Sequence, residues 1–108
     1  MNSDYVKVAD TKDIQPSQMK VVEVAGESIC IVNVNGEYYA IGNVCTHEGG
    51  PLNEGTLEAY EVECPWHGSK FDVRTGEVTN SPADVPVPSH EVKVDGSSIL
   101  IKKEKRES

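Results

Sequence analysis

The sequence predicts an all-β domain, and three observations carry that prediction. Val and Ile together number 21 against three Leu and five Ala, a bias toward β-branched side chains whose stiff χ1 suits strands better than helices. Nine short runs alternate apolar and polar residues or are continuously apolar. Turn residues stand between these runs at the spacing hairpins need. At 108 residues the chain is the size of one domain with one core.

Taken in order, strands are expected at Tyr5–Val8, Met19–Val24, Ser28–Val34, Glu37–Ile41, Tyr60–Glu63, Lys70–Val73, Glu77–Thr79, His90–Val94 and Ile99–Lys102. Asn35-Gly36 is a strong hairpin signal, since a type I′ turn needs two positive φ angles, and Asp95-Gly96 is another. Ala25-Gly26-Glu27 and Arg74-Thr75-Gly76 fit short connections. Only Asp13–Met19 offers a helical turn, and Pro16 keeps it short. The stretch SPADVPVP, residues 81 to 88, holds three Pro in eight residues, so it is expected as a stiff extended loop and not a central strand. Cys30 lies in SICIVNV on the side of Ser28, Val32 and Val34, with Ile29 and Ile31 opposite; as a buried thiol it behaves like a small hydrophobe, and a core role is expected.

Charge and composition exclude whole classes of function. The net charge is −8, and residues 48 to 84 hold eight acids (Glu48, Glu54, Glu58, Glu61, Glu63, Asp72, Glu77, Asp84) against Lys70 and Arg74. Such a field repels phosphate backbones and anionic lipid heads, so nucleic acid and membrane partners are not expected, whereas a basic protein would be steered in. The same charge also serves solubility alone. No apolar run reaches 18 residues, and MNSDYVKVAD lacks the n- and h-regions of a secretory signal, so a cytoplasmic location is expected. Three Cys without such a signal argue for metal binding, catalysis or burial over a disulfide framework.

With Cys30 assigned to the core, two thiols remain, and each has a histidine just downstream. The pairs are Cys45-x-His47 and Cys64-x-x-His67, with sixteen residues between His47 and Cys64. In extended backbone, residues i and i+2 face the same way about 6.5 Å apart, so each loop can serve a nearer and a farther metal. Gly49, Gly50, Gly55 and Gly68 let the backbone approach closely and aim N–H groups at an anionic centre. Three readings fit these residue types. One is a zinc site of two cysteines and two histidines, although one residue between Cys and His strains chelation of a single ion. Another is two unrelated Cys-His pairs. The third is a two-iron, two-sulfide cluster with both cysteines on one iron and both histidines on the other.

The boxes CTHEGGPL and CPWHGSKFD resemble the signature of the Rieske iron–sulfur proteins, in which C-x-H is followed about sixteen residues later by C-x-x-H. The resemblance implies an antiparallel β-sandwich carrying a small cluster-binding subdomain of two loops: a single domain over 1–108, with about 44–86 holding the cluster and 1–43 and 87–108 forming the base sheets. It implies one [2Fe-2S] cluster per chain, with Cys45 and Cys64 on the buried iron and His47 and His67 on the outer iron. SPADVPVP, with Pro82, resembles the family's Pro-containing loop that covers the cluster from a third side. Ser69, Trp66 and Gly50 complete the expected surroundings: Ser69 to donate a hydrogen bond, Trp66 to shield the cluster from water, and Pro65 and Gly68 to shape the second loop. Phe71 is expected as a core anchor.

Quinol-oxidising members of the family carry an extra Cys in each loop, joined as a disulfide, and a Tyr that bonds a cluster thiolate. Here those positions read Gly50, Trp66 and Phe71, so no bridge forms and one hydrogen bond is lost, which lowers the expected potential. Two neutral imidazoles in place of two thiolates leave the oxidised centre neutral, which sets the range at about −150 to +300 mV; the lower half is expected. Filled iron coordination leaves no place for substrate, so the resemblance implies an electron carrier and not an enzyme: a ferredoxin taking electrons from a flavin reductase and passing them to a terminal oxygenase of an aromatic-ring hydroxylating system. Two alternatives stand beside it, a Rieske-like small subunit of assimilatory nitrite reductase or another redox complex, and a zinc-stabilised interaction domain.

Overall fold

The computed structural model describes residues 5–46, 49–66, 68–81 and 83–103. His47, His67 and Pro82 lie outside the described residues. Eleven strands are described: β1 Tyr5–Asp10, β2 Met19–Val24, β3 Glu27–Val34, β4 Glu37–Gly42, β5 Thr56–Glu58, β6 Glu61–Glu63, β7 Lys70–Asp72, β8 Val78–Asn80, β9 Ser89–His90, β10 Val92–Asp95 and β11 Ser98–Lys102. They form three antiparallel sheets, β1-β11-β10, β2-β3-β4-β9 and β5-β6-β7-β8. The all-β expectation holds.

The sheet β2-β3-β4-β9 supplies side chains to two cores. Ile29, Ile31 and Ala40 join Ala9, Ile14, Ile99 and Ile101 on one side. Cys30, Val32, Val34 and Ile41 join Cys45, Leu52, Val62, Cys64, Phe71 and Val73 on the other. The alternation read from SICIVNV therefore separates two apolar environments, and β3 is buried continuously from Ile29 to Val34. Cys30 is fully buried, and the cost of placing a thiolate there pushes its pKa up to about 12.

Hairpin chemistry fixes the register. Ala25-Gly26 and Asn35-Gly36 both have positive φ, joining β2 to β3 and β3 to β4 as type I′ turns. The last hairpin sits one residue later than Asp95-Gly96: Asp95 pairs with Ser98, so Gly96, with φ of +62°, and Ser97 are the turn. Tyr60 is likewise a turn residue. Glu58 pairs with Glu61, leaving Ala59 and Tyr60 as the loop.

Three elements differ from the sequence expectation for physical reasons. The helical turn falls at Thr11–Asp13, before Pro16, where the Asp13 carboxylate accepts from the Asp10 amide at 3.1 Å. Strand β5 was not expected, because only Leu57 of its three residues faces the core. The run His90–Val94 divides between two sheets: His90 pairs with Ala40, while Val92 pairs with Ile101.

Candidate metal centre

Two loops closed in the same way carry the cysteines. In the first, the Cys45 amide donates to the Gly50 carbonyl at 2.9 Å and the Gly49 amide returns to the Cys45 carbonyl at 2.8 Å. In the second, the Cys64 amide donates to the Ser69 carbonyl at 2.7 Å and the Gly68 amide to the Cys64 carbonyl at 3.3 Å. Gly49 and Gly68, each four residues after its cysteine, both have φ of +81°, where a side chain is strained. Each loop is thus a six-residue arch built on a left-handed glycine.

The arches stand on different stems. Strands β6 and β7 carry the second, with Glu63 opposite Lys70 at its base. A single bridge, Val44 with Pro51, carries the first. The side chain of Asn43 reinforces it, accepting from the Asn53 amide at 2.8 Å and donating to the Asn53 side chain at 2.9 Å. Asn43 is buried, so these bonds satisfy groups that water does not reach.

Cys45 and Cys64 come together in one apolar core with Leu52, Val62 and Phe71, at 2% and 1% exposure. No disulfide involves them or Cys30. Gly50 joins the arches: a β-carbon there would stand 2.8 Å from the Cys64 sulfur and 3.1 Å from Cγ of Trp66. Trp66 is 55% exposed: its indole leans on the first arch at Gly50 while much of it faces solvent.

Residues 83 to 88 form a strap that touches both arches. The Ala83 amide donates to the buried Ser69 hydroxyl at 3.0 Å, and the Thr46 hydroxyl donates to the Val85 carbonyl. Further on, the Val87 amide donates to the Gly76 carbonyl at 2.9 Å and the Gly42 amide to the Pro88 carbonyl at 2.8 Å. Asn80 adds a bond from its side chain to the Gly68 carbonyl at 3.1 Å. Thr46, Ala83 and Asn80 escaped the sequence reading; Thr46, inside the first box, was the one with a signal.

The outer face of the adjacent sheet is acidic. Glu58 faces Glu61, which faces Asp72. Like charges in direct cross-strand register are unfavourable. Arg74 relieves part of this by a two-pronged pairing with Asp72 at 3.1 and 3.0 Å, its guanidinium 4.2 Å from the centre of the Tyr60 ring. This pairing holds the Asp72 carboxyl below its ordinary range.

Two buried thiols, space kept beside one of them by a glycine, and a water-excluded hydroxyl at the rim suit a sulfur-rich metal cluster. Ser69 is fully buried, and the bond from Ala83 uses only an acceptor position of its oxygen; its proton finds no acceptor among the described residues.

The family model for the Rieske [2Fe-2S] domain matches residues 4–104. The chain belongs to this family, and its cofactor is a [2Fe-2S] cluster, one per chain. It is 37% identical over 101 residues to the ferredoxin component of the p-cumate 2,3-dioxygenase system of Pseudomonas putida, covering 92% of this chain and 86% of that protein. It is 34% identical to apoptosis-inducing factor 3 of Mus musculus over 92% of this chain, which spans only 16% of that protein's length. A chain in the solved complex of reduced oxygenase and oxidised ferredoxin in carbazole 1,9a-dioxygenase superposes with a TM-score of 0.92 at 34% identity, covering 99% of this chain and 100% of that one. Family membership sets the zinc reading aside.

Proposed function

We propose that this chain is a Rieske-type ferredoxin, a one-electron carrier between a flavin reductase and a terminal oxygenase, most simply one that hydroxylates aromatic rings. It forms one domain over 1–108 in which residues of about 44–86 carry the cluster. Cys45 and Cys64 hold the inner iron, and His47 and His67 the outer. The observation that carries this reading is the pair of equivalent arches that bury Cys45 and Cys64 in one core. The relatives of matching length support the carrier role, since their names describe ferredoxin components of dioxygenase systems.

When bound, the cluster supplies a single reversible electron. The protein does the rest. Leu52, Val62 and Phe71 keep water from the thiolates, which limits their protonation and the loss of metal. The acidic face steers a basic partner to the same end of the molecule. Its partners are proteins and not nucleic acid or membranes, and its location is cytoplasmic; among the described residues no helix is long and apolar enough to cross a membrane.

Anaerobic reconstitution with iron and sulfide tests the reading. Acid-labile sulfide at about two per chain and a Rieske-type EPR signal on reduction are expected. Replacing His47 or His67 by Ser should remove that signal, and an unchanged spectrum overturns the ligand set. Reoxidation of the reduced protein by an oxygenase of the matching system tests the carrier role.

A further inference from the structure

We infer that Ala83 is a positioning residue for electron transfer: its backbone amide fixes the Ser69 hydroxyl as a hydrogen-bond donor to the cluster and so raises the reduction potential. This inference rests on the reading above.

A hydroxyl has one proton to give and two positions at which to accept. At Ser69 one accepting position is taken by the Ala83 amide at 3.0 Å. The oxygen is therefore anchored from the strap side, and its proton is left for another acceptor. Water does not reach either group, because Ser69 is fully buried and Ala83 is 3% exposed. The carbonyl of the same Ser69 closes the second arch on the Cys64 amide at 2.7 Å, which places the residue at the sulfur end of the loop. Hydrogen bonds in series strengthen one another, so a hydroxyl polarised by the Ala83 amide is a better donor to sulfur. Donors to cluster sulfurs favour the reduced, more negative state.

The strap itself is fixed independently of Ser69. Two residues beyond Ala83, the Val85 carbonyl accepts from Thr46 in the first arch, and Val87 is tied to Gly76. The Ala83 amide is thus held from the first arch and from Gly76.

Potentiometric titration of the cluster-loaded protein tests this. Ser69→Ala should raise the ratio of oxidised to reduced protein at fixed potential about tenfold, about 59 mV for a one-electron couple. Ala83→Pro, which removes the amide proton at the bond and also fixes φ, should raise it about threefold or more in the same direction, and Ala83→Gly, which keeps that proton, should not. In a Ser69→Ala background, Ala83→Pro should add nothing. An unchanged potential in Ala83→Pro, or an equal shift with and without Ser69, overturns the inference. Should Ala83→Pro fail to load a cluster, an ester linkage in place of the Ala83 amide serves the same comparison. Sulfide content and EPR of the parent protein are read first: their absence overturns the ferredoxin reading, whereas a normal cluster with an immovable potential overturns this inference alone.

Discussion

Gly50 sits against Cys64, so close that a β-carbon on the glycine would stand 2.8 Å from the sulfur. The backbone of the second arch is closed at 2.7 Å between Cys64 and Ser69, so relief of that contact must come from displacing the sulfur itself. Gly50→Ala is therefore expected to lower iron and labile sulfide well below one cluster per chain. Gly49→Ala is the comparison, since a β-carbon there meets nothing within 4 Å; it should cost about 1–2 kcal/mol of backbone strain while keeping the cluster. Metal and sulfide analysis of both variants distinguishes crowding at the sulfur from general weakening of the arch.

Gly76→Ala should open the far end of the strap. Its φ is +85°, and a β-carbon would overlap the carbonyl oxygen of Val87. Strain at such a position costs about 1–3 kcal/mol, and the backbone overlap adds to it. Denaturant unfolding should show a lower midpoint with an unchanged slope.

Asn43→Ala should weaken the first arch more than its size suggests. Two hydrogen bonds from buried Asn43 to partly buried Asn53 are lost, and since an unsatisfied partner fully away from water costs about 1–3 kcal/mol, the lower end of that range is expected. Faster loss of the visible cluster absorbance in the presence of an iron chelator is the expected readout.

Cys30 gives stability an alkaline limb. Its thiol is pushed up to about 12 by burial, against about 8.5 in an unfolded chain. The folded state keeps a proton that the unfolded state releases, so the contribution is complete below pH about 8.5 and is lost as pH rises toward 12. Cys30→Ala should flatten this limb in a plot of unfolding free energy against pH, whatever it costs in packing at neutral pH.

Asp72 acts in the opposite direction. The hydrogen bonds from Arg74 lower its carboxyl pKa in the folded state. Its contribution is present above the ordinary carboxylate value of about 3.9 and disappears as pH falls through the lowered folded value. Acid unfolding of Asp72→Asn should begin from lower stability and depend less steeply on pH; an identical acid limb would contradict the pairing.

What the sequence made legible follows the range of the interactions involved. Asn35-Gly36 and the alternation through β3 are local, and both landed where expected. The two boxes are local too, since each arch closes within six residues of its cysteine. The strap was legible as a stiff segment and, through the family resemblance, as a covering loop, but its contacts were not. Its contacts join Thr46 to Val85 and Ser69 to Ala83, across 39 and 14 residues, and no periodicity encodes such a meeting. The division of His90–Val94 was hidden for the same reason: a strand that leaves one sheet for another keeps its alternation while changing its neighbours.

Strand β3 has one row of side chains in each core. The half of the molecule that faces the redox chemistry and the half that serves as foundation therefore share a wall. Neither can melt while the other stays whole, because detaching β3 exposes both rows to water at once. Cooperativity between the two halves is built into that single strand.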